Sequence, residues 1–220
     1  MLLVVPPLLL TLLRYAFEHQ LRSFQLIGGP LVGLFPFITM FLVTSITMLR
    51  ERTSGTLERL MTMPLAKLDL LLGYGIAFAA VATLQALITG AVGFGALGLH
   101  VAGSTVLVIA LAIGNAILGM ALGLFTSAFA RTEFQAVQFM PAIVLPQLML
   151  CGLFVARAHM AKLLEAISDA LPLTYGFDAL QRATVRGTLG ARGALDIGVI
   201  AAATLLALAL GAATLRRRTH

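Results

Sequence analysis

Charged residues are scarce in this sequence of 220 residues. They make up 11% of the chain, against about 25% in an ordinary soluble domain, while 60% of the residues are hydrophobic. The mean hydropathy is +1.00. A soluble fold of this size cannot bury so much apolar side chain, because much of its surface must face water. The composition therefore excludes an ordinary soluble domain and indicates a protein embedded in lipid.

Cysteine and histidine are also too sparse to form a metal centre. Cys151 is the only cysteine, so the chain can form neither an intrachain disulfide nor a cysteine cluster for zinc. The four histidines are far apart and none has the HExxH spacing. We therefore predict no metal site.

The motifs of the common enzyme classes are missing as well. The sequence has no GxxxxGK[ST] phosphate loop, no GxSxG motif and no pair of carboxylates within one apolar run. We predict no catalytic residue, and we expect the chain by itself not to bind and hydrolyse a nucleotide in the usual way.

The net charge of +6 comes from basic residues at the ends of apolar runs. This position is typical of membrane topology signals and differs from a basic face that contacts phosphates, so we predict no nucleic-acid partner.

Long apolar runs fill most of the chain. A membrane-spanning helix needs about 20 apolar residues, and within lipid these runs must be helical to pair their backbone groups. The predicted fold class is therefore an all-α membrane protein, a single domain over 1–220 with about six transmembrane helices. After a short first helix (1–17), in which Pro6 and Pro7 predict a kink, the predicted spans are 26–49, 70–97, 103–129, 134–156 and 196–215.

The lysines and arginines near the ends of the spans indicate orientation. With both termini in the cytoplasm, the inner side receives eight basic residues and the outer side seven, which together are the 15 of the chain. The inner charges crowd short loops and the tail, where the rule is strongest, whereas most of the outer ones lie in one long loop with acidic residues. We therefore predict that both termini are cytoplasmic.

Two connections are longer than simple turns. The cytoplasmic connector 50–69 offers Thr53 and Ser54 as N-caps of a short amphipathic helix that ends at Pro64. The outer loop 157–193 contains apolar residues at helical spacing over 159–171, which predicts a helix with its apolar face in the outer membrane interface.

Neutral polar residues are the polar groups in the interior of the predicted spans. Gln85, Asn115 and Gln138 could either hydrogen-bond between helices or line a substrate path, and the sequence leaves both open. Gly119 and Gly123 form a GxxxG pair, which is typical of close helix packing.

Three segments resemble a known family. The connector RERTSGTLERLMTMP (Arg50–Pro64) is similar to the cytosolic connector of type-2 ABC exporter permeases, especially the bacterial daunorubicin/doxorubicin-resistance type. The segment PLTYGFDALQR (Pro172–Arg182) and the fifth span with its entry (Phe129–Phe154) also resemble that family. Family members usually begin with a basic amphipathic helix, which is missing here, so we expect the first helix to be truncated or abbreviated.

The resemblance implies a permease in the bacterial plasma membrane that pairs with a second permease, as a homodimer or heterodimer, and with two copies of an ABC ATPase. ATP and Mg²⁺ would be bound by that ATPase, with no cofactor on this chain. The implied substrate is a hydrophobic or amphipathic drug, antibiotic or lipid-like compound that is exported from the cell. The implied ATPase-coupling residues are Glu51, Gly55, Thr56, Leu57, Glu58 and Leu60, and the implied outer re-entrant element contains Pro172, Leu173, Tyr175 and Arg182.

Two other functions remain open from the residues alone. Glu51 and Glu58 could simply be solvated charges that balance neighbouring arginines, and the chain could then be a structural or regulatory membrane subunit that transports nothing. A membrane-embedded enzyme acting on lipids would need a nucleophile, a carboxylate pair or a metal cluster, none of which the sequence displays.

Overall fold

The computed structural model describes residues 3–55 and 67–214, with side chains for all of these except 67–71. The described residues fold into helices and contain no strand, which confirms the predicted all-α membrane class. The α-helices are α1 (Val5–Ala16), α2 (Leu21–Thr53), α3 (Lys67–Gly90), α4 (Thr105–Thr126), α5 (Glu133–Phe139), α6 (Leu145–Leu150), α7 (Lys162–Ala170), α8 (Pro172–Gln181) and α9 (Gly193–Ala213). Three π-helical turns follow α3, α5 and α8 at Ala91–Ala96, Met140–Val144 and Arg182–Arg186, and a 3₁₀ turn covers Arg157–His159.

Four helical segments are long and apolar enough to cross a membrane. They are Leu21–Thr53, Leu72–Ala96, Thr105–Thr126 and Gly193–Ala213. The 33 residues of α2 extend about 50 Å, well beyond the ~30 Å hydrocarbon core, so this helix reaches into solvent on at least one side. Helix α1 is apolar but has only 12 residues.

The predicted span 134–156 has a more broken backbone than the other long segments. The helix runs from Glu133 to Leu150 and contains the π-helical turn Met140–Val144, where Pro141 lies, while Pro146 follows at the start of α6. Proline removes a backbone donor from the helical ladder, so it locally disrupts α-helical hydrogen bonding.

One local prediction from the sequence is wrong. Pro6 and Pro7 do not kink α1, because the helix begins at Val5 and both prolines lie in its first turn, where the missing N–H groups have no intrahelical acceptor. Thr53 is the last residue of α2, and its hydroxyl donates to the carbonyl of Leu49 at 3.1 Å. The helix that Thr53 or Ser54 is predicted to cap lies outside the described residues.

The centre of the bundle is the contact between α2 and α4, the most extensive between any two described helices. A Cβ at Gly119 or Gly123 of α4 would overlap the main chain of α2 at Phe37 and Phe41, so the helices meet backbone to backbone. The hydroxyl of Thr44 donates to the Met120 carbonyl at 3.1 Å across the same contact. The close packing predicted for the glycine pair is confirmed.

Two short helices follow the predicted fifth span. In α7, Leu163, Leu164 and Ile167 are exposed, as expected of an apolar face in the membrane interface. In contrast, α8 is packed into the bundle against α2, α4 and α9. The chain thus turns back into the protein before it enters α9.

Candidate functional site

The α2 end of the connector is joined to α5 by a bidentate ion pair. Arg50 donates to Glu133 through Nε at 2.7 Å and through Nη2 at 2.8 Å. Arg50 lies in the last turn of α2 and Glu133 in the first turn of α5, which suits the charge of each helix end. Hydrogen bonding from the Arg50 guanidinium lowers the pKa of the Glu133 carboxyl. Both side chains are largely exposed, so the pair fixes geometry more than it adds stability.

A second contact at this end joins α2 to α3, the helices on either side of the connector. The hydroxyl of Tyr74 donates to Glu51 Oε2 at 3.1 Å. Gly55 then follows the end of α2 with a φ of 75°, a left-handed conformation that glycine adopts without strain. Glu51 and Gly55 are therefore placed where α2 gives way to the connector. The other predicted coupling residues, Thr56, Leu57, Glu58 and Leu60, lie outside the described residues.

The three polar residues predicted as substrate-path candidates lie in different environments. Gln85 is fully buried, and its Oε1 accepts a hydrogen bond from Thr39 at 3.1 Å, which links α3 to α2. Asn115 is fully buried in α4, whereas Gln138 is exposed on α5. Two roles were left open for these residues, hydrogen bonding between helices and lining a substrate path. The contact of Gln85 with Thr39 is of the first kind.

Asn115 is buried without a hydrogen-bond partner. Neither Oδ1 nor Nδ2 has one among the described residues. Gly176 of α8 lies directly against the amide, since a Cβ at that glycine would overlap the Asn115 side chain. An unpaired buried amide costs about 1–3 kcal/mol. Helices α4 and α8 therefore pack closely at this point, but the Asn115 amide lacks the hydrogen bonds that would offset its burial.

At the other end of the bundle, charged residues form a network that joins four segments. Arg157 pairs with Asp169 and, at 3.1 Å, with Asp178. Arg182 pairs with Asp178 at 3.5 Å and with Asp196 at 2.9 Å. Only 3% of the Asp196 side chain and 16% of the Arg182 side chain are exposed. The network therefore ties the segment after α6 to α7, to α8 with its π-helical turn, and to the first turn of α9.

The residues predicted for the outer re-entrant element lie in or beside this network. Pro172 is the first residue of α8, where its missing N–H has no intrahelical acceptor, and Leu173 is fully buried in the core. Tyr175 donates from its hydroxyl to the Asp169 carbonyl at 2.8 Å, which holds α8 to α7. Arg182 is the residue shared between Asp178 and Asp196.

This network is not among the sites predicted from the sequence. Asp178 and Arg182 stand four residues apart, the spacing of a helical ion pair, and Asp196 begins a predicted span. These two signals could have suggested that a helix with a salt bridge meets an intramembrane carboxylate. Pairing across four segments depends on the fold, which spacing along the chain does not reveal.

The described residues contain no group of three or more histidine, cysteine, aspartate or glutamate side chains placed to hold a metal ion. The aspartates of the ionic network are instead bonded to arginines.

Long apolar helices joined by short polar contacts at both ends define a multi-pass α-helical membrane protein. The family model for the ABC-2 type transporter matches residues 2–184, and the chain therefore belongs to the ABC-2 type transporter family. This membership confirms the resemblance to type-2 ABC permeases.

The curated relatives share only a modest part of their sequence with this chain. The chain is 28% identical over 148 residues to the probable multidrug ABC transporter permease YbhR of Escherichia coli, a match covering 67% of this chain and 40% of the relative. It is 26% identical over 184 residues to the probable multidrug ABC transporter permease YbhS of the same organism, covering 83% and 49%. ABC transporter G family member 20 of Dictyostelium discoideum is 22% identical over 157 residues, covering 71% and 22%. The matched part of this chain thus spans less than half of each relative. No solved structure gives a significant match.

Proposed function

We propose that this chain is the membrane-spanning permease subunit of an ATP-driven exporter in the bacterial plasma membrane. A separate ABC ATPase, present in two copies, would hydrolyse ATP, and this chain would pair with a second permease as a homodimer or heterodimer. Membership of the ABC-2 family and the printed names of the two Escherichia coli permeases support this proposal. The structural observation that carries it is the braced α2 end of the connector.

The brace suits transmission of force. A partner that pushes on the connector would move α2, because the connector is continuous with the end of that helix. Arg50 and Glu51 tie this end to α5 and α3, so these helices would move with it. The backbone contact of α2 with Gly119 and Gly123 is close enough that a displacement of α2 would press directly on α4. A displacement at the cytoplasmic end would therefore be carried along α2 and α4 as one body.

The same body contacts the outer region. Gly29 and Gly33 of α2 lie against the Thr184 and Leu180 side chains, and Gly176 of α8 lies against Asn115 of α4. Nucleotide binding on the partner would thus bias the outer helices between two arrangements, a population shift driven by different affinities for the two states. In this proposal Thr56, Leu57, Glu58 and Leu60 join Glu51 and Gly55 in the contact with the ATPase.

The proposed substrate is an amphipathic or hydrophobic compound, such as a drug, an antibiotic or a lipid-like molecule. The described buried polar residues in the middle of the bundle, among them Gln85 and Asn115, are neutral and would not hold an inorganic ion strongly. Ile76 and Leu205 are 70% and 67% exposed on α3 and α9, and lipid or the second permease would cover them.

The experiment that tests this proposal compares two charge reversals of the same kind. Tagged chain is purified from bacterial membranes together with the co-expressed ATPase. Three forms are compared: the wild type, Glu58→Arg on the connector, and Glu18→Arg in the turn that precedes α2, at the far end of that helix from the connector. We expect Glu58→Arg to lose the ATPase and ATP-dependent efflux, and Glu18→Arg to keep both. If both variants keep ATPase association and efflux, the coupling role of the connector is wrong.

A non-transporting structural or regulatory subunit is the alternative. It predicts that the ATPase and the second permease still transport substrate when this chain is omitted from a reconstituted system. Loss of transport on omission, with the ATPase still assembled, argues for the permease. A membrane enzyme would instead convert lipid in the absence of ATP.

A further inference from the structure

A cleft at the outer ionic network contains two arginines that the network does not use. Three adjoining cavities of about 540, 430 and 390 Å³ are all lined by Asp178 and Arg192, and Arg186 lines the two larger ones. Among the described residues, the ion pairs of this region involve Arg157 and Arg182 alone of the four arginines. Arg186 and Arg192 therefore keep their hydrogen-bond donors available.

The charges around the largest cavity do not balance. Asp178 is its only acidic lining residue, and this carboxylate already bonds to Arg157 and Arg182. Three arginines, Arg182, Arg186 and Arg192, line the same cavity. Since Arg182 is bonded to Asp178 and Asp196, Arg186 and Arg192 are the two lining charges without an ion-pair partner among the described residues. Low-dielectric walls concentrate such a field and attract an anion.

The backbones that carry the two arginines are held in place. Arg186 ends the π-helical turn, in which the Thr184 carbonyl accepts a hydrogen bond from the Ala102 amide at 2.9 Å. Arg192 is the N-cap of α9, and its carbonyl accepts from the Asp196 amide at 2.9 Å. Since Asp196 is itself fixed by Arg182, the backbone positions of Arg186 and Arg192 are set before any ligand arrives, which limits the ordering of the main chain on binding.

The walls of the cleft indicate what kind of anion it accepts. Guanidinium groups bind phosphate oxygens with two parallel hydrogen bonds each, which suits a phosphate better than a small spherical anion. Leu26, Val185 and Leu189 line the same cavity and offer an apolar surface beside the arginines. A volume of about 540 Å³ lies in the usual range for a small-molecule site.

We propose that this outer cleft binds the phosphate group of an amphiphilic, lipid-like molecule. Arg186 and Arg192 hold the phosphate, and Leu26 and Val185 contact the beginning of the apolar tail. The proposal rests on the geometry of the cleft and does not depend on export, so it is tested by binding to the purified chain without an ATPase.

The test measures binding of dioctanoyl phosphatidic acid to the full chain in phosphatidylcholine nanodiscs by native mass spectrometry. We expect saturable binding, with an affinity about tenfold lower in Arg186→Gln and in Arg192→Gln because each loses a charge-assisted hydrogen bond. Arg186→Lys keeps the positive charge but loses the planar guanidinium group with its paired donors. Its affinity should lie between those of the wild type and Arg186→Gln. Lys162→Gln removes a cation that does not line the cleft, and it should bind as wild type does. Unchanged unfolding midpoints of the variants verify that folding is intact.

Two further probes separate the sources of the phosphate. Dioctanoylglycerol has the tails without the phosphate, and inorganic phosphate has the anion without the tails; we expect both to bind at least tenfold more weakly than phosphatidic acid. Equal affinity for inorganic phosphate would overturn the assignment to an amphiphile. Equal binding of phosphatidic acid by wild type and both glutamine variants would overturn the site itself.

Discussion

Gly119→Ala tests the backbone contact between α2 and α4 most sharply. The added Cβ would overlap the carbonyl oxygen of Phe37 and lie 2.9 Å from its carbonyl carbon. These are main-chain atoms, so no side-chain rotation relieves the overlap and the two helices must move apart. Overpacking of this kind costs about 1–3 kcal/mol, and we expect the upper part of that range because the obstacle is backbone.

Gly114→Ala on the same helix is the matched control. A Cβ at Gly114 meets no atom within 4 Å. Both variants gain about 0.5–1 kcal/mol from replacing a helical glycine with alanine, so the difference between them isolates the overlap. The free energy of unfolding of Gly119→Ala should therefore be about 1–3 kcal/mol below that of Gly114→Ala.

The measurement is a titration from mild detergent into sodium dodecyl sulfate, followed by circular dichroism at 222 nm. Gly114→Ala should unfold at the same or a higher denaturant fraction than wild type, and Gly119→Ala at a clearly lower one. If the two variants unfold together, α2 and α4 do not meet at Gly119 as described, and the rigid body invoked for transmission of force would be lost.

Three further predictions follow from the polar contacts. In the same titration Asp196→Asn should lower the free energy of unfolding by about 1–3 kcal/mol, because the largely buried Arg182 keeps only its longer contact with Asp178, whereas Glu133→Gln in an exposed pair should match wild type; equal losses would refute the difference in burial. Gly176→Ala should destabilise the protein by pressing into the amide of Asn115, and Asn115→Ala should rescue it, with a coupling of about 1 kcal/mol or more in the double-mutant cycle; purely additive losses would rule out the contact. Tyr74→Phe should lower the number of substrate molecules transported per ATP in proteoliposomes, and an unchanged ratio would contradict the brace.

Hydrophobicity along the chain predicted the regions of the four described helices that are long and apolar enough to cross a membrane. A run of about 20 apolar residues has few options in lipid other than a helix, so the regions of the spans follow from composition. The contact of α2 with the glycine face of α4 was predicted only in part. Gly119 and Gly123 indicate that another helix packs closely there, but they do not identify which helix it is. The end of α2 at Thr53 was missed, because the charges of Arg50 and Arg52 marked the end of the apolar run and not the end of the helix.

The ionic network around Asp178 was the least predictable part. Within the predicted outer loop, α8 resembles a surface helix by its mixed polarity, yet Leu173, Phe177 and Leu180 are buried in the bundle. Asp196 is compatible with burial only because Arg182, from another segment, neutralises it at 2.9 Å. Such compensation depends on tertiary structure, and a single sequence shows the charge without its partner.

ATP-dependent flux through the reconstituted complex tests the central claim most directly. The chain, its permease partner and the ATPase are placed in proteoliposomes with a fluorescent amphiphile on the side of the ATPase, and transport is followed after addition of ATP. We predict transport that requires both this chain and hydrolysable ATP, that is abolished by Leu57→Asp on the connector, and that persists in the Gly114→Ala control. Transport of equal rate without this chain, or with Leu57→Asp, would contradict its assignment as the permease that the ATPase drives.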